Sequence, residues 1–393
     1  MRKDRRTRTG RAIALALVVA ALLFAEVPVA AQAGPGAASP PRSSLQRDVD
    51  ALIELGVTGA LARLETPDGV QLARAGVADL DTRRPVPPDS YLRIGSTTKT
   101  FVAVVVLQLV AEGRLSLDDP VHRWLPGVVT GNGNDGRTIT VRQLLNHTSG
   151  LYNYVFDLVP RYLTPEDYRR ERWRHYRPDE LVAMALRHPP GSTDWAYSNT
   201  NYVLAGMLVE AVTGRDWQRE VHDRILRPLG LRRTLTPGSW PFLPAPHARN
   251  YHQFTPDGEL IDTTVAIRAL DSGADGSMIS TATDLNQFFA ALLAGRLLPP
   301  AQLAEMRRLV PVPADQGYPA GTGGGLGLFR TPLSCGGEYW GHGGNGFGYT
   351  VEPAVTGDGS RRLTVTIFSG SFAPAPAAAW NTALRGLVDR ALC

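Results

Sequence analysis

The stretch Arg93-Ile94-Gly95-Ser96-Thr97-Thr98-Lys99-Thr100 passes from a strand-like entry through a glycine into a run that is apolar from Phe101 to Val110 and stops at Glu112-Gly113. Ser96 and Lys99 are three residues apart. On a helix they share one face a turn apart, where an amine can reach a hydroxyl. A serine at a helix N-terminus meets free N–H groups and the positive end of the dipole, which favour negative charge. A helix that is apolar all round is a buried one, and packing then holds the group at its tip rigidly. The stretch therefore predicts a nucleophile and its base.

Lysine usage sharpens this reading. Of the 41 basic residues only Lys3 and Lys99 are lysines. Arginine does not give up its proton in a protein, whereas a lysine shifted by burial or by neighbouring charge does. Lys3 falls in a segment that reads as removable, which leaves one lysine, beside Ser96.

That segment opens with Arg2, Lys3, Arg5, Arg6, Arg8 and Arg11, continues in an apolar run from Ala12 to Phe24, and ends at Ala31-Gln32-Ala33. The pattern predicts a secretory signal peptide over residues 1–33, followed by a flexible leader over 34–43, and hence a secreted protein. The apolar run is too short to span a bilayer, so no membrane association is expected after cleavage. The segment holds six of the 41 basic and two of the 37 acidic residues, leaving 35 of each. A neutral balance gives no electrostatic reason to expect nucleic acid as a partner. The histidines are scattered, with neither H-E-x-x-H nor paired ligand spacing, so no metal or other cofactor is expected. There is no G-x-S-x-G nucleophile elbow either, which disfavours an α/β-hydrolase esterase. Cys335 and Cys393 are the two cysteines. An exported chain meets an oxidising environment, and they are predicted to pair.

The remaining chain reads as one domain over 44–393, expected to be monomeric. A helix is predicted from Ser44 to Leu55, then strands Val57 to Leu64 and Val70 to Val77 about the turn Thr66-Pro67-Asp68-Gly69. Helical patterning dominates from Ser116 to Arg227, with starts at Thr140, at Pro178-Asp179-Glu180 and at Asn199-Thr200. Thr281-Ala282-Thr283-Asp284 is a capping signature. Strands are predicted at Gly325 to Phe329, Glu338 to Gly341, Gly348 to Val355 and Arg361 to Phe368, and a helix from Trp380 to Leu392. The expected fold is α+β: an antiparallel sheet built from both ends of the chain and flanked by helices, with an inserted, mostly helical subdomain. The sheet part covers about 44–115 and 265–393 and the helical part about 116–264.

Two further clusters complete a constellation. Tyr197-Ser198-Asn199 precedes a helix, and Trp340-Gly341-His342-Gly343-Gly344-Asn345-Gly346 lies among the C-terminal strands, where glycines let backbone approach a ligand. With Ser96-Thr97-Thr98-Lys99, their order and spacing resemble those of the penicillin-recognising serine hydrolases, specifically the class C β-lactamases and the related D-alanyl-D-alanine carboxypeptidases and esterases. Asn146-His147-Thr148-Ser149-Gly150-Leu151 resembles a turn common in that family and reads as structural. The resemblance implies that Ser96 attacks a carbonyl to form an acyl-enzyme, with Lys99 and Tyr197 sharing general-base and general-acid duty. It implies that Asn199 binds the substrate's amide carbonyl and that His342 sits near Tyr197, where many relatives carry a lysine. Gly343 and Gly344 would line the substrate site, and the N–H groups of Ser96 and Asn345 would hold the oxyanion.

Gly343 stands where many relatives have a threonine that helps bind a substrate carboxylate. Arg330 could supply a charge for that carboxylate, subject to strand parity. The resemblance thus points first to a D-alanyl-D-alanine carboxypeptidase, with a class C-type β-lactamase or an esterase as alternatives. A non-enzymatic alternative is a penicillin-binding sensor that forms a stable adduct. The implied partners are a small peptide, β-lactam or ester, with cell-wall peptidoglycan among them.

Overall fold

Side chains along the strand Gly59–Thr66 alternate between two cores. Leu61 packs into one, whereas Ala60, Ala62 and Leu64 pack into another. The period of two is that of a pleated strand, and burial on both faces means that the sheet is covered on both sides. The computed structural model describes residues 43–271 and 273–393, so the expected signal peptide and all but the last residue of the expected leader lie outside the described residues. Its main sheet has nine strands. From one edge to the other run Gly69–Gly76, Gly59–Thr66, Arg362–Ile367, Tyr349–Thr356, Glu338–Gly341, Phe329–Pro332, Gly323–Gly324 and Val310–Pro311, and Gly344–Gly346 pairs separately with Tyr349–Thr356. Every pairing in it is antiparallel. The N-terminal hairpin lies directly beside Arg362–Ile367, so the sheet is built from both ends of the chain, as the sequence predicts.

Helices Ser44–Glu54 and Pro374–Leu392 cover one face, with Leu45, Val49, Leu52, Trp380 and Leu387 against the sheet. Ser43 caps the first of them by accepting from the Gln46 N–H. The last helix begins at Pro374, well before the predicted Trp380, because a proline suits the first turn of a helix. Helices Thr98–Ala111 and Ala282–Leu293 cover the other face, joined by Phe101 stacked on Phe288 at 3.7 Å between ring centroids. Thr281 caps the latter through the Asp284 N–H. Helices between Val121 and Leu229 build out from Thr98–Ala111, and Thr200–Thr213 among them packs directly on it.

Thr98–Ala111 is buried over nearly its whole length, as its composition predicts. Each hydroxyl at its entry ties the nucleophile's turn to a different segment. Thr97 Oγ1 donates to the His342 carbonyl at 2.7 Å, Thr98 Oγ1 accepts from the Met278 N–H at 3.1 Å, and Thr100 Oγ1 donates to the Gly327 carbonyl at 2.7 Å. Buried polar groups need such partners, and these bring three distant parts of the chain to Ser96.

Cys335 and Cys393 form a disulfide, joining the turn between strands Phe329–Pro332 and Glu338–Gly341 to the end of the last helix.

Candidate active site

Ser96 lies in a tight turn, Gly95–Thr97, immediately before the helix, and is partly exposed to a cavity of about 560 Å³. Gly95 has φ +47°, and a Cβ on it would come within 3.0 Å of the Asn345 nitrogen. Across the seam, a Cβ on Gly344 would lie 3.0 Å from the Ser96 nitrogen. Only glycine at both places lets the two backbones pass this closely, which brings the backbone nitrogens of Ser96 and Asn345 to one seam. A paired set of fixed N–H dipoles is what a carbonyl oxygen gaining charge requires.

Lys99 Nζ contacts three oxygens: Ser96 Oγ at 2.8 Å, Asn199 Oδ1 at 2.7 Å and the Asp275 carbonyl at 2.6 Å. Burial pulls its pKa down to about 7, against the opposing charge of Asp275. Two of its partners are carbonyl oxygens that only accept, whereas a hydroxyl can also donate. A neutral amine therefore spends its two hydrogens on Asn199 and Asp275 and turns its lone pair to the Ser96 proton.

Tyr197 lines the cavity with Ser96, and burial, the largest effect, pushes its phenol well above the usual range and keeps it protonated. Its ring lies 5.1 Å from Lys99 Nζ. His147 stacks on that ring at 4.3 Å. The His147 carbonyl accepts from the Ala196 N–H at 2.9 Å and its Nδ1 from the Ser198 N–H at 3.3 Å, so it grips both neighbours of Tyr197. It does so with a φ of +63°, a conformation unusual outside glycine. His147 belongs to the turn Asn146-His147-Thr148-Ser149-Gly150-Leu151, which from its sequence reads as structural.

Asn199 lines the cavity, but its amide nitrogen is held by Asn153 Oδ1 at 3.2 Å while its oxygen serves Lys99. His342 and Tyr197 sit 6.3 Å apart, ring centroid to ring centroid. Burial, then the Lys99 charge, lower the His342 pKa to about 3, so the ring is neutral. Its Nδ1 donates to the Gly343 carbonyl at 2.8 Å. Gly343 and Asn345 line the cavity, and Gly344 packs against the turn behind them. A side chain at Gly343 would collide with Glu352, whose Oε2 lies 2.2 Å from where a Cβ would be.

Arg330 is the correction. Phe329 meets His342 edge-on at 4.9 Å, so its neighbour Arg330 points to the other face of the strand, where Glu338 and the Gly321 carbonyl hold the guanidinium. It does not line the cavity. The sequence also gave no motif for Asp271 and Asp275, which do line it.

A serine at a helix tip, a deprotonatable lysine, a protonated tyrosine and paired N–H donors are the parts of a serine hydrolase working through an acyl-enzyme. The family model described as Beta-lactamase matches residues 45–389, and the chain belongs to that family. It is a serine hydrolase of the β-lactamase and penicillin-binding-protein superfamily. It is similar to a D-stereospecific amidohydrolase from Streptomyces sp., with 42% identity and a TM-score of 0.77 over 84% of this chain and 95% of that one. It is also similar to the D-amino acid amidase of Ochrobactrum anthropi SV3 complexed with L-phenylalanine amide, at 29% identity and a TM-score of 0.75 over 88% and 97% of the two chains. Penicillin-binding protein 4 of Amycolatopsis lactamdurans is 32% identical over 192 residues, which are 49% of this chain and 48% of that protein. The chain spans half or less of the length of the curated relatives it matches first.

Proposed function

We propose that this chain is an amidohydrolase that cleaves amides and esters of D-amino acids through an acyl-enzyme on Ser96. The observation that carries the chemistry is the contact of Lys99 Nζ with Ser96 Oγ at 2.8 Å, with the amine's pKa brought down to about 7. Neutral Lys99 takes the serine proton as Oγ attacks, the Ser96 and Asn345 N–H groups receive the oxyanion, and protonated Tyr197 delivers a proton to the departing amine.

The substrate class is supported by the similarity to a D-stereospecific amidohydrolase and a D-amino acid amidase and by the charge of the cavity. A carboxypeptidase must receive the free carboxylate of its peptide, normally through a cation. Among the described residues lining the cavity there is no arginine or lysine, and His342 is neutral. A D-alanyl-D-alanine carboxypeptidase is therefore the weaker reading, with β-lactamase activity behind it. Export rests on the leader pattern and agrees with the disulfide. Mature protein from an expressing culture should begin near residue 34 by intact mass.

The deciding experiment offers the purified protein D-phenylalanine amide, its L-enantiomer, a peptide ending in D-Ala-D-Ala, and a penicillin, with Ser96→Ala as control. Ser96-dependent release of ammonia from the D-amide above all is expected. Preferential cleavage of the peptide would restore the carboxypeptidase. A penicillin adduct that never turns over, with no cleavage of the others, would mark a sensor.

A further inference from the structure

We propose that Asp271 is the residue that holds the α-ammonium group of the acyl donor, which makes a free amine a requirement for good substrates. The inference rests on the proposed function and names the group that selects its substrate. The described residues of the 270–276 loop lean on the nucleophile's turn: the Asp275 carbonyl accepts from Lys99 Nζ at 2.6 Å, and a Cβ on Gly276 would lie 3.8 Å from the Gly95 carbonyl carbon. Two carboxylates on this loop, Asp271 and Asp275, line the cavity.

Their situations differ. Asp275 is 3% exposed; its Oδ2 accepts from the Tyr154 hydroxyl at 2.7 Å, and its Oδ1 is buried with no partner. Asp271 is only half-buried, with Oδ2 accepting from the Ile267 N–H at 3.1 Å and Oδ1 at 3.4 Å from the Tyr349 hydroxyl. A carboxylate offers about four acceptor sites, so Asp271 keeps room for a donor from the cavity. The Tyr349 hydroxyl in turn lies 3.1 Å from where a Cβ on Gly95 would be. One phenol oxygen therefore separates the Asp271 carboxylate from the residue preceding the nucleophile. In an amino acid amide the ammonium nitrogen is one carbon from the carbonyl under attack, so a carboxylate at this place suits it.

Burial raises Glu352, which stands behind Gly343, to about 7 and holds Asp275 above its usual value, whereas Asp271, raised to about 6, stays mostly ionised at neutral pH and supplies the negative charge. Arg93 is the opposing charge on Asp271, but its guanidinium donates to the Pro241 and Thr264 carbonyls and does not line the cavity. An unpaired ammonium brought into a largely desolvated site needs such a partner, and removing one member of a desolvated pair weakens recognition steeply.

The test compares kcat/KM for D-phenylalanine p-nitroanilide with that for its N-acetyl derivative, in the wild type and in Asp271→Asn, Asp271→Glu and Glu352→Gln. The ratio is an internal reference, because misfolded protein lowers both rates alike. The wild type is expected to prefer the free amine by about 100-fold, the effect of a lost desolvated charge pair. Asp271→Asn should bring the ratio near one, Asp271→Glu should keep part of it, and Glu352→Gln should keep most of it. A ratio that survives Asp271→Asn, that collapses equally in Glu352→Gln, or that is already near one in the wild type overturns the assignment. Failure of the wild type on both anilides, with Ser96-dependent hydrolysis of p-nitrophenyl acetate intact, would instead bring down the proposed function and this inference with it.

Discussion

Lys99 and arginine carry the same charge, but only lysine can lose it here. Lys99→Arg keeps the cation and the reach, yet its guanidinium stays protonated and has no lone pair to offer Ser96. Acylation should fall by about 1000-fold, the range of a lost general base, measured as the burst of product under single-turnover conditions. Because the reactive form carries neutral Lys99, kcat/KM of the wild type for p-nitrophenyl acetate, which has no amine to titrate, should climb with pH, bend near 7 and then level off. Tyr197, pushed well above its usual range, adds no descending limb between pH 7 and about 9. A profile flat from pH 5 to about 9 would remove Lys99 as the base. His147 is the companion case, since it acts through Tyr197 rather than on substrate. His147→Asn tolerates the left-handed backbone and still offers an acceptor, but loses the stacked ring. It should fold normally and lose about tenfold in kcat, the worth of one aromatic contact. His147→Leu also strands the Ser198 N–H and strains the backbone, and should lose about 3 kcal/mol of stability in denaturant unfolding.

Glycines decide how the elements meet, and here the sequence misleads at one point. Gly325 to Phe329 has the composition of a strand, but the structure ends one strand at Gly324 and begins the next at Phe329. Between them Gly327 takes φ +70° and lies so close to the Ser96 helix that a Cβ would be 2.7 Å from Ala103 Cβ and 2.7 Å from the Tyr202 hydroxyl. Gly327→Ala should therefore cost about 3 kcal/mol or more, from backbone strain and overpacking together, and should depress kcat because the Lys99 backbone lies in the same contact. Unchanged thermal unfolding of that variant would contradict the packing described. Ser96 and Lys99 are legible because their chemistry is written in a short spacing, whereas the role of Tyr197 comes from the resemblance to the family and not from spacing. Arg330 is not legible, because its side depends on a one-residue register that only the Phe329–His342 contact fixes. Asp275 is not, because it reaches Lys99 across 176 residues through a backbone carbonyl that no motif records, and Asp271 lines the cavity four residues before it with no motif of its own.

At the scale of the molecule, the sheet takes its strands from both ends of the chain, so its integrity depends on the last helix staying docked. The Cys335–Cys393 bridge closes a separation of 58 residues at that junction. Closing a loop of this size removes about 4 kcal/mol of conformational freedom from the unfolded chain. The folded junction has further support: Asp389 accepts from both the Ser334 N–H and its hydroxyl, one residue from Cys335. The helix should therefore remain in place when the bridge is gone, and the loss should appear in stability rather than in catalysis. Cys335→Ser/Cys393→Ser is expected to lower Tm by about 5 °C for a domain of this size, with kcat and KM within about twofold of the parent. The alternative outcome is informative in another way, because Glu338–Gly341 runs from this turn to His342. A fall in kcat at temperatures far below Tm would mean that the bridge holds the His342 segment in register with Ser96, and that the disulfide shapes the site as well as the fold.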